Sequence, residues 1–153
     1  SLILRKLAAD QRILVAAPSY LEQHGTPLKP DDLQAHYCFT FTENARWKFQ
    51  NGQEISVPRS FIVNDGEAMR IMIEKGMGIG LKSVWNASKS LTSGHLVKVL
   101  PNYPLVTTAA LWILYPSRRI LAPKVSAMID FLSQKFQPIP PWAQEPSFNE
   151  PLN

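Results

Sequence analysis

The sequence has 153 residues, 45% of them hydrophobic, which is enough to bury a core as one domain or as two small lobes. The net charge is +4, and the basic residues are scattered along the chain rather than clustered as in a nucleic-acid interface. A single cysteine excludes an internal disulfide and a thiolate metal cluster, and no apolar run approaches the roughly 20 residues of a membrane-spanning helix.

The first predicted elements alternate between strand and helix. Residues 11–17 form a short apolar run that predicts a strand, and Pro18 then suits the first position of a helix that stops at Gly25. A short helical turn is predicted at 30–33, where adjacent carboxylates favour a helix start, and the aromatic stretch 37–41 predicts a buried strand.

The clearest local signal lies at residues 46–57. Asn51-Gly52 suits a two-residue type I′ turn, and alternating residues flank it on both sides. This pattern predicts a β-hairpin, and another short strand is predicted after it at 60–63.

Three alternate glycines follow the next helical pattern, in VNDGEAMRIMIEKGMGIGLKS. A phosphate-binding loop needs a strand, then glycines, then a helix, so that free N–H groups point at the phosphate. Here the helix comes first, with Asp65 as its N-cap and Gly76 just beyond its end, and a strand is predicted at 78–83. The glycines therefore indicate a helix exit rather than a nucleotide site.

The remaining elements continue the alternation. We expect a helical turn after residue 84 and strands at 96–100 and 107–116. A helix at 123–136 carries apolar residues at helical intervals that predict one core-facing stripe: Val125, Met128, Ile129, Leu132 and Phe136. The alternation predicts a layered α/β domain, and the proline-rich residues 137–153 are expected to be extended or disordered.

Residue types that could carry catalysis give little support for an enzyme. His36 and Cys38 lie two apart in a predicted strand and would share a face, but cysteine is more often a buried core residue than a nucleophile. His24 and His95 have no carboxylate or histidine at metal-ligand spacing. We predict no catalytic residue, no metal site and no cofactor.

Two strand-to-helix corners are better candidates for binding. Residues 64–66 follow one predicted strand and residues 40–44 follow another, and ligands of open α/β sheets bind where strands end and helices begin. Two such corners facing each other would form a cleft for a small polar or anionic molecule. The alternative is that both are ordinary caps and turns.

The order of these segments resembles that of LysR-type transcriptional regulators. LAADQRILVAAPSYLEQHGTPLKPDDLQAHYCF is similar to the part that leaves the first lobe of the family's effector domain and enters the second. VNDGEAMRIMIEKGMGIGL follows the NG hairpin in the expected order, and GHLVKVLP and LWILYPSRRILAPKVSAMIDFL resemble the closing strand, loop and last helix. The resemblance covers roughly residues 7–135.

This resemblance implies a fold and an organisation. The family consists of bacterial regulators with an N-terminal winged helix-turn-helix and a two-lobed α/β effector domain of the periplasmic-binding-protein-like (type 2) fold. The family's pattern begins midway here, so we expect a fragment without the DNA-binding domain and most of the first lobe. It implies a crossover from the first lobe at 1–14, a second lobe at 15–105, the closing strand and helix of the first lobe at 106–136, and a tail at 137–153.

The resemblance also implies binding residues and partners. The cleft-facing candidates are Thr40, Thr42, Glu43, Asn64, Asp65 and Lys82. Lys82 stands near a position where the family often has proline, and it could meet an effector carboxylate or be a solvated lysine. The expected partners are a small-molecule effector, anionic metabolites being common in the family, and further copies of the chain. DNA would be bound only through the missing domain, in the cytoplasm and without a membrane.

Two other interpretations of the sequence remain open. One is a fragment of an extracytoplasmic solute-binding protein, which has the same two-lobed fold. The other is an enzyme on a related α/β scaffold, for which the sequence offers no catalytic constellation. We also expect the fragment alone to bind an effector weakly or not at all, and the apolar strand at 107–116 to be covered by another copy of the chain or poorly ordered.

Overall fold

The computed structural model describes residues 1–57, 60–117 and 122–143. They form two compact units, one spanning Arg12–Thr107 and the other combining Ser1–Gln11 with the chain from Thr108 onward. The assignment of residues 1–14, 15–105 and 106–136 to lobes of a larger domain stays a prediction. In the described part of the chain, no helix is both long and apolar enough to cross a membrane.

The unit Arg12–Thr107 contains most of the predicted elements. Its strands are β2 (Arg12–Ala16), β3 (Cys38–Thr40), β4 (Arg46–Lys48), β5 (Glu54–Ser56), β6 (Ser60–Ile62), β7 (Ile79–Ser83) and β8 (Val97–Val99). Its helices are α1 (Pro18–His24), α2 (Gly66–Glu74) and α3 (Val84–Thr92), with a 3-10 helix at Pro30–Ala35. These elements confirm the predicted alternation, and α3 is longer than the single turn that we expected.

Five of these strands form one mixed sheet in the order β6-β3-β7-β2-β8. Strand β3 is parallel to both β6 and β7, whereas β2 is antiparallel to β7 and β8. Buried side chains pack on the sheet in two clusters, one of which includes Phe39, Met69 and Ile73 and fixes α2 against the strands. The sheet therefore carries α2 and the ends of β3 and β6 as one body.

The glycines of GMGIG are explained by this packing. Gly76 has a φ of 75°, which suits the residue after a helix. A Cβ on Gly78 would lie 2.7 Å from the carbonyl oxygen of Tyr37, and one on Gly80 would overlap Ile73. The predicted helix exit is confirmed, since the glycines let β7 approach β3 and α2 closely.

The hairpin is confirmed, but the predicted turn type is wrong. Strands β4 and β5 pair antiparallel, and the connection is a three-residue loop in which Phe49 O accepts from Gly52 N and Phe49 N donates to Gln53 O. Gly52 has a φ of 90°, whereas Asn51 does not have a positive φ, as a type I′ turn would require. The Asn51 side chain instead accepts a hydrogen bond from Gln53 N at 3.0 Å.

The second unit is a two-stranded ribbon and a helix. Strand β1 (Leu2–Ala9) pairs antiparallel with β9 (Ala110–Pro116), and a bulge at Leu7 shifts the register. One face of the ribbon exposes large apolar side chains beside Lys6, which pairs with Trp112. We call its apolar residues the ribbon face: Leu2, Leu4, Trp112 and Leu114. Strand β1 was not predicted as a strand, because we assigned residues 1–14 only as a crossover.

Helix α4 (Pro123–Phe136) has the predicted bounds but not the predicted stripe throughout. Ile129 is buried, whereas Met128 is 57% exposed, so the expectation that Met128 faces a core is wrong. The predicted extended or disordered tail begins with a stretch that contains a 3-10 helix at Pro141–Ala143, and residues 144–153 lie outside the described residues.

Candidate functional site

Three parallel strands end at the same edge of the five-stranded sheet. Thr40 of β3 pairs with Ile62 of β6, and Phe39 pairs with Gly80 of β7. Because parallel strands share a direction, the chain leaves all three at one side, where α2 and α3 also begin. We call this region the carboxyl edge; it comprises residues 40–44, 63–67 and 82–84.

The first segment of the carboxyl edge is anchored by Thr40. This residue is buried, and its hydroxyl donates to the carbonyl oxygen of Thr42 at 3.0 Å. Its own carbonyl oxygen accepts from Val63 N at 2.9 Å, which ties the exit of β3 to the exit of β6. Thr42 and Glu43 are exposed, so Thr40 shapes the loop while the next residues present side chains to solvent.

The second segment contains Asn64 and Asp65, which are both exposed. Asp65 is the N-cap of α2, as predicted, and its carboxylate accepts from Ala68 N at 2.7 Å. The structure thus brings these two residues to the same edge as Thr40, and it gives Asp65 a capping bond within its own helix.

The third segment contains Lys82, and its environment differs from that of a solvated lysine. Lys82 is only 5% exposed, and its ammonium donates to the carbonyl oxygen of Gly66 at 2.5 Å. Burial lowers the pKa of Lys82, and among the nearby charges Glu67 and Asp65 raise it while Arg70 and Arg12 lower it. The structure therefore places a buried cation at the start of α2.

An ion-pair network next to Lys82 was not predicted from the sequence. Arg70 pairs with both Glu67 and Glu74 on α2, and it donates to Ser90 Oγ of α3 at 3.2 Å. The signal was available, because residues three and four apart on a helix face each other, and Glu67, Arg70 and Glu74 have this spacing. The contact with Ser90 could not be read from spacing, since it joins two helices.

His36 and Cys38 form part of the core. The Cys38 thiol donates to the carbonyl oxygen of His36 at 3.8 Å, and burial raises the pKa of Cys38 to about 12. A thiol with a raised pKa is a poor nucleophile at neutral pH. In the described part of the chain, His, Cys, Asp and Glu residues form no group of three or more that could hold a metal ion.

The arrangement suits binding of an anion better than covalent chemistry. Two helices begin at the carboxyl edge, and helix N-termini carry partial positive charge and free N–H groups. The ammonium of Lys82 adds a full positive charge there.

Comparisons with known proteins agree on one family. The family described as the LysR substrate binding domain matches residues 1–137. The regulator DmlR of Escherichia coli K12 is 38% identical over 143 residues, which are 89% of this chain and 46% of DmlR. The activator TtdR of the same strain is 33% identical over 86% of this chain and 44% of its own length. The chain thus spans about half the length of these relatives.

Solved structures support the same conclusion. The regulatory domain of CrgA, a LysR-type regulator from Neisseria meningitidis, has a TM-score of 0.77 and 25% identity, and the match covers 88% of this chain and 69% of that domain. The fold is the α/β, periplasmic-binding-protein-like type 2 fold of such domains, as predicted. Because the named relatives are transcriptional regulators, the comparisons favour a regulator over a transport protein. The chain belongs to the LysR family of transcriptional regulators, and residues 1–137 match its substrate-binding domain.

Proposed function

We propose that this chain is the effector-sensing part of a bacterial transcriptional regulator and that a small anionic molecule binds at its carboxyl edge. The observation that carries the proposal is the buried ammonium of Lys82 beside the first turn of α2. A cation is unfavourable at a helix N-terminus and becomes more so when it is removed from water. An anion bound there would compensate for both costs.

The hydrogen bonds of Lys82 support the same conclusion. An ammonium has three N–H donors, and in the described part of the chain Gly66 O is its one acceptor. The remaining donors are available to a carboxylate or phosphate oxygen. Arg12 and Arg70 add positive potential, whereas Asp65 and Glu67 are held by other partners within α2.

The other candidates take different parts in this proposal. Thr40 shapes the loop after β3, and the exposed side chains of Thr42, Glu43 and Asn64 would contact the polar remainder of the effector. Asp65 would act through its cap, by presenting the first turn of α2. The opposite wall of the cleft would come from residues outside this sequence, so binding to this chain alone should be weak.

The regulator as a whole is proposed on the basis of the family. A winged helix-turn-helix outside this sequence would bind DNA, copies of the protein would associate, and effector binding would change how the assembly holds a promoter. The protein would act in the cytoplasm, without enzymatic activity and without a cofactor. The support is that the relatives named above are regulators of about twice this length.

A titration followed by NMR tests the anion site. Acetate, succinate and inorganic phosphate are added separately at constant ionic strength up to about 50 mM, since a millimolar dissociation constant corresponds to only about −4 kcal/mol. We expect backbone shifts at the carboxyl edge that Lys82→Met abolishes and that Lys89→Met, at an exposed lysine of α3, preserves. Shifts that are absent with all three anions, or that Lys82→Met leaves unchanged, would contradict the proposal.

A further inference from the structure

We infer that Arg70 is a positioning residue of the carboxyl edge: it holds the Glu67 carboxylate so that the buried ammonium of Lys82 stays available to an anion. The inference rests on the proposed anion site and adds a group that determines its charge selectivity. It starts from the position of Glu67, which directly follows the residue whose carbonyl oxygen accepts from Lys82.

Glu67 is close enough to act on Lys82 but does not pair with it. After burial, Glu67 has the largest effect on the pKa of Lys82, which it raises. Within the described residues, however, the ion pair that Glu67 forms is with Arg70. Glu67 is thus a potential internal competitor for any external anion at Lys82.

Both oxygens of the Glu67 carboxylate are occupied. Arg70 Nη2 pairs with Oε1, and Arg70 Nε donates to Oε2 at 3.1 Å. The amide of Asn86 on α3 also reaches Oε2 at 3.5 Å. The Arg70 hydrogen bond is the main reason why the pKa of Glu67 is lowered, so the carboxylate is held in its charged form more by Arg70 than by Lys82.

The guanidinium of Arg70 is itself fixed from the other side. Its Nη1 pairs with Glu74 and donates to Ser90 Oγ at 3.2 Å, and the Ser90 hydroxyl in turn donates to Glu74. Ser90 is buried on α3, so the position of the guanidinium depends on two helices. Because the guanidinium is planar and carries five donors, one residue can bind both carboxylates at once.

Removing Arg70 would release Glu67 beside a buried, incompletely paired ammonium. A carboxylate near such a cation favours pairing, and the pair would neutralise the charge that an effector needs. Loss of Arg70 should therefore weaken anion binding through Glu67. Removing Glu67 as well should restore it.

The proton affinity of Lys82 distinguishes this role from a general charge effect. We would measure it by NMR of the lysine side chain, without added anion, in the native chain, Arg70→Gln, Glu67→Gln and the double variant. Loss of the Arg70 charge alone should raise the proton affinity of Lys82 by the same factor whether residue 67 is Glu or Gln. If Arg70→Gln also releases Glu67, the proton affinity of Lys82 should rise about tenfold more with Glu67 present than in the Glu67→Gln variant. The reason is that an opposite charge stabilises the protonated form of the lysine.

Equal effects of Arg70→Gln in the two backgrounds would overturn the inference. If Arg70→Gln does not fold, Arg70→Lys takes its place in the same cycle, because it keeps the charge but lacks the planar group that binds Glu67 and Glu74 together. The succinate titration then separates the two proposals. If Arg70→Gln changes the proton affinity of Lys82 unequally with and without Glu67, but no variant binds succinate, the positioning role of Arg70 is supported and the anion site is contradicted. If succinate binds but the two changes are equal, the anion site is supported and the positioning role is contradicted.

Discussion

The hydroxyl of Tyr20 lies 3.1 Å from Nδ1 of His36, and it also accepts a hydrogen bond from Tyr37 N at 3.0 Å. The Tyr20 hydroxyl can donate its proton to an unprotonated Nδ1 of His36 while its oxygen accepts from Tyr37 N, and burial of His36, which lowers its pKa, favours this neutral form. This small network joins α1 to the entrance of β3, and it accommodates a neutral His36.

This relationship predicts that stability falls in mild acid. Burial, and then the neighbouring His24, lower the pKa of His36, while Asp32 acts in the opposite direction. A histidine with a lowered pKa in the folded state stabilises the fold above its ordinary pKa, and this stability is lost as the pH falls, because the unfolded chain binds the proton first.

Urea unfolding at about pH 7.5 and about pH 5.5, on either side of the ordinary histidine pKa of about 6.5, should therefore give a smaller free energy at the lower pH. His36→Gln should reduce the difference between the unfolding free energies at the two pH values. The control is His95→Gln, which alters an exposed histidine and should leave the difference unchanged. An equal pH dependence in the native chain and His36→Gln would show that His36 is not responsible.

Tyr20→Phe should destabilise the unit Arg12–Thr107 by about 1–3 kcal/mol, because it leaves His36 Nδ1 and Tyr37 N without their shared partner. The midpoint of urea unfolding measures this. Tyr103→Phe is the matched control, since the hydroxyl of Tyr103 makes no hydrogen bond with the described residues. A loss no larger than that of the control would mean that the network contributes little.

Gly78→Ala should cost about 1–3 kcal/mol, because the added Cβ would meet the backbone carbonyl of Tyr37, which cannot rotate away as a side chain could. Gly66→Ala should be tolerated, since its Cβ would lie 3.5 Å from Lys82 Nζ at the start of a helix. Thermal unfolding of the two variants compares a backbone clash with an ordinary contact. If Gly66→Ala costs as much as Gly78→Ala, close packing is not the reason for the glycine at 78.

The ribbon face should cause the chain to associate with itself. Exposed apolar surface of this kind favours association, and Leu114 is 57% exposed on it. Sedimentation of the native chain should give a mass above that of a monomer, and Leu114→Lys should reduce it. The control Leu28→Lys changes a residue that is 79% exposed in the other unit and should have no effect. A native monomer in solution with β1 and β9 formed would contradict this expectation.

Local chemistry allowed α2 and its surroundings to be predicted from the sequence. Asp65 as an N-cap and Gly76 beyond the helix end both follow from backbone groups within a few residues. The strand-to-helix corner at 64–66 was also predictable, because a strand is followed there by a helix, whereas residues 40–44 lead from β3 into the hairpin strand β4 rather than into a helix.

What could not be predicted depends on distant partners. The burial of Lys82 depends on its pairing with Ile13 of the antiparallel strand β2 and on its contact with α2, and the same sequence would also fit a solvated lysine. Strand β1 is a strand because β9 pairs with it from about a hundred residues away. The three-residue hairpin loop is closed by the hydrogen bond from Phe49 N to Gln53 O, which a type I′ turn at Asn51-Gly52 would not have. The residues of the turn alone do not determine this hydrogen bond.

The bulge at Leu7 limits how far the ribbon face extends along β1 and β9. Before it, even-numbered residues of β1 share a side with even-numbered residues of β9, as in the pair Leu4 and Leu114. After it, the parity of β1 is reversed, so Ala9 pairs with Ala110 and the side that carries the ribbon face has only methyl groups at that end. One inserted residue thus confines the large exposed apolar side chains of the ribbon face, and the self-association expected from them, to the end of the ribbon that contains Leu2 and Pro116. Deleting Leu7 would join Lys6 directly to Ala8, so the pairs with Trp112 and Leu111 could form without a bulge and without any residue of β1 changing sides.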